Sequence, residues 1–179
     1  MKKKYDKNVL KDPYGFLKLE EEKRLISCSD KYLVMRIYGL TGKFMRDPNI
    51  FAFGNFLLTA LKGKAIKIKA KNNVIRSYCY GSDIAKASIN WLFSEKIHNE
   101  IHEASTTIVS LYELAQNITK IYNLPEVISN IDTTKETDNY SCNIDKFSNF
   151  LRLQGFNPAT LEFQIDSTFK YLQQNFIQP

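Results

Sequence analysis

Long apolar runs are missing from this sequence. No stretch reaches the roughly 18 consecutive apolar residues of a bilayer-spanning helix, which excludes a transmembrane helix. Cysteine is scarce, and Cys28, Cys79 and Cys142 stand far apart with no CxxC pair. That spacing argues against a zinc knuckle and a disulfide framework, and fits reduced, mostly buried thiols. Glycine is scarce too. The 7 glycines form no GxGxxG, so no Gly-rich turn is available on which a helix amino terminus could meet a pyrophosphate. The 2 histidines, His98 and His102, flank Glu100 as HNEIH, without the H-E-x-x-H order of a helical zinc site. Two solvent-side histidines and no metal are expected. The first seven residues, MKKKYDK, carry the charge of a signal peptide with no apolar run behind it, which predicts a cytoplasmic protein.

What is present describes an ordinary globular chain. Its 179 residues, 44% apolar and 25% charged, allow one good core or two small lobes. The net charge of +6 is spread along the chain, with the densest clusters in residues 1–7 and 62–71. A solvated basic face is expected, with no nucleic-acid partner; such a face also suits phosphorylated substrates.

Helical and extended segments alternate. Residues 14–27 predict a helix with Pro13 at its first turn, and YLVMRIY at 32–38 predicts a buried strand ending at Gly39. A helix over 49–62 stops at Gly63, and the strict alternation of AIKIK at 65–69 predicts a strand with one solvated face. A strand is expected over 75–80, a helix preceded by Ser82 and running through Trp91 and Leu92, and a weak strand over 97–101. Ser110 and Glu113 form a capping box for a helix over 111–122, with Pro125 ending that region. A helix over 143–153 stops at Gly155, and Thr160 opens a last helix with Leu161, Ile165, Phe169 and Leu172 on one side.

The residues richest in chemistry lie near the start. Tyr14 and Lys18 are four apart and so one turn apart on the predicted helix. A tyrosine ionises near pH 10, too high for proton exchange at neutral pH, and a neighbouring ammonium brings it down. The pair can serve as a general acid/base, or it can be a helical tyrosine packing on a lysine stem. Beyond it come RIYGLTG at 36–42, GKAIKI at 63–68, RSYCYGSDIA at 76–85 and LQGFNP at 153–158.

This series, in order and spacing, resembles the second half of the extended short-chain dehydrogenase/reductases, the NAD-dependent epimerase/dehydratase group, over about Asp12 to Asn175. The resemblance implies an α/β fold: a partial Rossmann-type parallel sheet plus a small α/β substrate-binding lobe. Residues 1–42, joined by 79–104, would form the C-terminal part of the Rossmann-type domain, and 43–179 mainly the substrate lobe. Tyr14 would be the catalytic tyrosine exchanging a proton with a sugar hydroxyl. Lys18 would bond the nicotinamide ribose and lower the tyrosine pKa, so both would also touch NAD or NADP. Arg76 would grip the diphosphate of a nucleotide-sugar substrate; the plainer reading is a surface arginine closing a strand. Asp83 is expected to cap or orient the helix after it. Phe44, Phe51, Phe53 and Phe56 fall where the family closes over substrate, although core packing explains them more simply.

The sequence departs from the family pattern at Gly39 and Thr41, where many members carry Asn and Tyr, and at Ser77, where an acid often follows the arginine. The Gly-rich turn and the assisting Ser or Thr have no counterpart here. The isolated chain is therefore expected not to hold NAD or NADP tightly. Its implied partners are a nucleotide sugar, a separate chain supplying the dinucleotide-binding half, and a second copy in a homodimer. The alternative is a catalytically inactive fragment acting as a binding or regulatory module.

Overall fold

The computed structural model describes residues 12–96 and 99–176. Helix α1 (Pro13–Cys28) leads into strand β1 (Leu33–Ile37) and the two-residue β2 (Leu40–Thr41). Helix α2 (Ala52–Leu61) precedes β3 (Val74–Tyr80) and α3 (Gly81–Phe93). Strands β4 (Glu100–Ala104) and β5 (Thr107–Ser110) run into α4 (Leu111–Tyr122); β6 (Asp138–Tyr140), α5 (Asp145–Leu153) and α6 (Leu161–Phe176) complete the chain. The fold is mixed α/β with parallel strand pairs, as expected.

Strand β1 pairs in parallel with β4, from Leu33 opposite Glu100 to Ile37 opposite Ala104. Strand β3 holds a separate mixed sheet, with β2 and β6 parallel to it and β5 antiparallel. The period of two along β3 divides the molecule. Tyr78 faces one core, built from Phe53, Phe56 and Leu57 of α2, Leu114, Ala115 and Ile118 of α4, and Ile165 and Leu172 of α6. Cys79 faces the other, with Ala87, Ala104, Phe147, Phe150 and Leu151. Arg76, Tyr78 and Tyr80 thus alternate with Ser77 and Cys79 as their spacing predicts. Phe53 and Phe56 are core residues, which settles the plainer reading for that pair. Phe44 and Phe51 are exposed.

Four expectations need correction. Strand β1 is not buried: Leu33 to Arg36 are half-buried and Ile37 is exposed, because among the described residues the strand pairs only with β4. Residues 65–69 alternate in burial, Ile66 and Ile68 being buried, but contribute only one bridge, Lys67 to Ile128, because the partner segment is itself irregular. Strands β5 and β6 were not foreseen: Thr107–Ser110 runs straight into α4 with no turn signal between them, and β6 is three exposed polar or aromatic residues. His102 is buried, not solvent-side, because its strand turns it toward α5, where it stacks on Phe150 at 4.1 Å. His98 and part of the strand expected over 97–101 lie outside the described residues.

Candidate active site

The first turn of α1 is fixed by local chemistry. Asp12 accepts a hydrogen bond from the Gly15 amide at 2.8 Å, and Pro13 occupies the first turn without forfeiting a needed donor. A Cβ at residue 15 would collide with the Asp12 carboxylate, so glycine lets this cap close. Tyr14 and Lys18 follow on one face of the helix, and Lys18 Nζ lies 5.9 Å from the centre of the Tyr14 ring. Tyr14 is 73% exposed. Lys18 donates to Glu21 at 2.8 Å, and that carboxylate, first through the hydrogen bond and then through its charge, raises the lysine pKa. Helix α1 is tied to β1 by Glu22, which accepts a forked pair of bonds from Arg36, the Nε bond measuring 3.0 Å.

Arg76 lies on β3. Its Nη1 donates to the carbonyls of Ile75 at 2.8 Å and Asp138 at 3.1 Å, and its Nη2 to the Asp138 carboxylate at 2.7 Å. The side chain is 30% exposed. Asp138 belongs to β6, beside Val74, so arginine and carboxylate are diagonal neighbours on one face of the sheet. Nearby, Tyr38 donates to Glu103 at 3.3 Å and packs on Tyr140 with ring centres 4.8 Å apart. Among the described residues, no hydrogen bond or ion pair joins Tyr14 or Lys18 to Arg76.

Asp83 does not cap α3, whose start carries no side-chain cap; its bond goes instead to the segment before α6. It lies buried in the first turn of α3 and accepts from the Ala159 amide at 2.8 Å, tying the approach to α6 onto that turn. Burial raises its pKa, and the Ala159 bond opposes that shift. A second buried network was not read from the sequence. Thr41 donates to Gln164 at 2.7 Å, and Gln164 donates to Thr107 and to the Ala159 carbonyl, both at 3.0 Å. The Gly42 amide donates to Thr168 at 2.9 Å. These bonds clamp α6 against β2 and position the segment after it, where Phe44 takes a left-handed φ of 66°. Polar residues buried on an otherwise apolar helix face, Gln164 and Thr168 beside Ile165 and Leu172, were the available signal.

Among the described residues, no group of three or more His, Cys, Asp and Glu is placed to hold a metal ion. Among the described residues, no helix is long and apolar enough to cross a membrane. Tyr14 and Lys18 are both exposed and one turn apart on α1. Nothing among the described residues offers a glycine-rich cradle for a dinucleotide's pyrophosphate.

No protein-family model matches the chain, and no curated protein matches it. Solved structures do. UDP-glucuronic acid 4-epimerase from Bacillus cereus, in complex with UDP-glucuronic acid and NAD, shares 18% identity at a TM-score of 0.67, over 90% of this chain and 52% of that one. UDP-glucose 4-epimerase from Thermotoga maritima, with UDP-glucose, shares 22% at a TM-score of 0.64, over 92% and 54%. dTDP-glucose 4,6-dehydratase from Bacillus anthracis, in complex with NAD, shares 17% at a TM-score of 0.57, over 80% and 44%. The chain therefore spans about half the length of the solved structures it matches. Its mixed α/β, Rossmann-like architecture is that of about half of a nucleotide-sugar epimerase or dehydratase.

Proposed function

We propose that this chain is the tyrosine-bearing, substrate-binding half of an NAD- or NADP-linked enzyme that epimerises, dehydrates or reduces a nucleotide-activated sugar. The observation that carries the proposal is the placement of Tyr14 and Lys18. They stand one turn apart at the capped, exposed start of a helix, in a chain built like half of such enzymes.

In this reading the Tyr14 hydroxyl exchanges a proton with the reacting sugar hydroxyl, with the Lys18 ammonium beside its ring on the same helix face. Lys18 also bonds the nicotinamide ribose, exchanging its Glu21 contact for that role. Arg76 binds the diphosphate with its planar fork. The dinucleotide's pyrophosphate is held by a glycine-rich βαβ unit covalently joined to this chain or on a second one, and the bound cofactor supplies the hydride chemistry. Residues 1–42 with 79–104 belong to the cofactor side, and 43–179 mainly to the substrate side.

Turnover of a UDP-sugar by the chain assembled with its dinucleotide-binding unit tests the reading. Tyr14→Phe should lower the rate by about 10²-fold or more. Unchanged turnover removes Tyr14 from the mechanism. Calorimetric titration of the chain alone with NAD and NADP should show no micromolar binding, since the charge-complementary turn is absent from it. Clear low-micromolar binding would mean the chain builds a cofactor site of its own.

A further inference from the structure

We infer that Asp138 is a positioning residue for phosphate recognition: with two main-chain carbonyls it locks the Arg76 guanidinium so that one edge of the fork faces the ligand. The role of Asp138 rests on the proposed phosphate-binding role of Arg76.

A guanidinium carries five N–H donors in a fixed plane. Both hydrogens of Nη1 are used, one on the Ile75 carbonyl at 2.8 Å and one on the Asp138 carbonyl at 3.1 Å. One hydrogen of Nη2 goes to the Asp138 carboxylate at 2.7 Å. Asp138 thus grips the Nη1–Nη2 end of the fork with its main chain and its side chain together. The donors left are Nε–H and the second hydrogen of Nη2, and no acceptor among the described residues takes them. Those two bonds are parallel and lie along one side of the plane, the spacing that two oxygens of a phosphate match.

Position and charge agree with this use. Strand β6 lies parallel to β3 with Asp138 beside Val74, which sets the carboxylate two residues behind Arg76 on the same face. The arginine must lean back along its own strand to reach it, and that fixes the direction of the remaining edge. Arg76 is 30% exposed and the Asp138 side chain 51%, so the pair is open to solvent at the edge of the sheet and not sealed in a core. An arginine free to sample many rotamers loses entropy when it binds; one already held by three bonds loses little.

Binding of UDP to the whole chain tests the assignment, followed by ligand-observed NMR into the millimolar range. Asp138→Ala should weaken binding about 10-fold, whereas Asp138→Asn, whose amide oxygen still accepts from Nη2, should stay within about 3-fold of wild type. In an Arg76→Gln background Asp138→Ala should change nothing further, because the two residues act as a unit. Tighter binding by Asp138→Ala would make the carboxylate a competitor of the phosphate and overturn the proposal. Unchanged binding, an equal loss in both backgrounds, or no UDP binding by wild type would overturn it as well. An Arg76→Gln variant that binds UDP normally would remove the phosphate role of Arg76 itself. Arg76→Gln weakening binding while Asp138→Ala does not would remove only Asp138.

Discussion

Helices α4 and α1 begin with equally good start signals and end in opposite environments. Helix α4 has a complete capping box, Ser110 accepting from the Glu113 amide at 3.1 Å while Glu113 accepts from the Ser110 amide at 2.9 Å. It buries Leu114, Ala115 and Ile118 completely. Helix α1 has the Asp12 cap, Pro13 and exposed ion pairs between Lys18 and Glu21 and between Lys23 and Glu20, yet buries only Gly15. Caps decide where a helix starts; a facing apolar surface decides whether it enters a core. Helix α4 meets α2 and β3 across the first core, whereas the visible anchor of α1 is the Glu22–Arg36 fork. In the proposed enzyme the thinly packed helix is also the one that carries the catalytic tyrosine.

The sharpest way to break this contrast is to truncate one leucine on each helix. Leu114→Ala should lower the free energy of unfolding by about 2–5 kcal/mol, the range for a buried leucine left as a cavity. Leu17→Ala, at a position 60% exposed, should cost less than about 0.5 kcal/mol. Urea denaturation measures both. Equal losses would mean that α1 is packed as firmly as α4 in solution.

The same contrast explains what could be read from the sequence. Elements with a local signature were legible: the Ser110 box, the helix stopped by Gly63 at a φ of 62°, and the β3 alternation that parts Tyr78 from Cys79. Strand β6 was not, because its three residues are exposed and exist as a strand only through pairing with β3. For that reason the partner of Arg76 was invisible in sequence although Arg76 itself was not. His102 was misread because its burial depends on Phe147 and Phe150, more than forty positions away, and not on its neighbours in HNEIH. The Tyr14–Lys18 spacing was legible as a helical pair. Glu21 as the lysine's partner was equally available at three residues' distance.

Cap removal sharpens the comparison with a smaller effect. Ser110→Ala should lower global stability by about 1 kcal/mol, because α4 unravels only when the core does. Asp12→Ala should leave the global value nearly unchanged and instead speed amide exchange in the first turns of α1. Hydrogen exchange read residue by residue separates the two. A global loss from Asp12→Ala as large as that from Ser110→Ala would show α1 folding with the core.

The smallest expected effect concerns pH, and it sets the second core apart from both helices. His102 stacks on Phe150, meets Phe147 edge-on with ring centres 5.8 Å apart, and has its Nε2 3.0 Å from a Glu100 oxygen. That approach is close but poorly directed, and neither ring nitrogen has a proper hydrogen bond among the described residues. Burial lowers the histidine pKa below its ordinary 6.5; Glu100 pulls it back up, and Lys146 on α5 pushes it down. The folded chain therefore prefers the neutral ring, and the unfolded chain binds more protons as the pH falls through 6.5. Stability from this site is complete above that value and is lost progressively below it, toward the lower folded pKa. Glu100 opposes the effect of burial and limits the loss, whereas Lys146 adds to it. Thermal melting at about pH 7.5 and about pH 5.5 should show a larger drop for wild type than for His102→Phe, which keeps the stacking and removes the titration. Glu100→Gln should steepen the wild-type loss, because the imidazolium then has no compensating carboxylate. Parallel curves for wild type and His102→Phe would mean that the ring reaches solvent when it takes up its proton, and that the second core yields there as readily as α1 does.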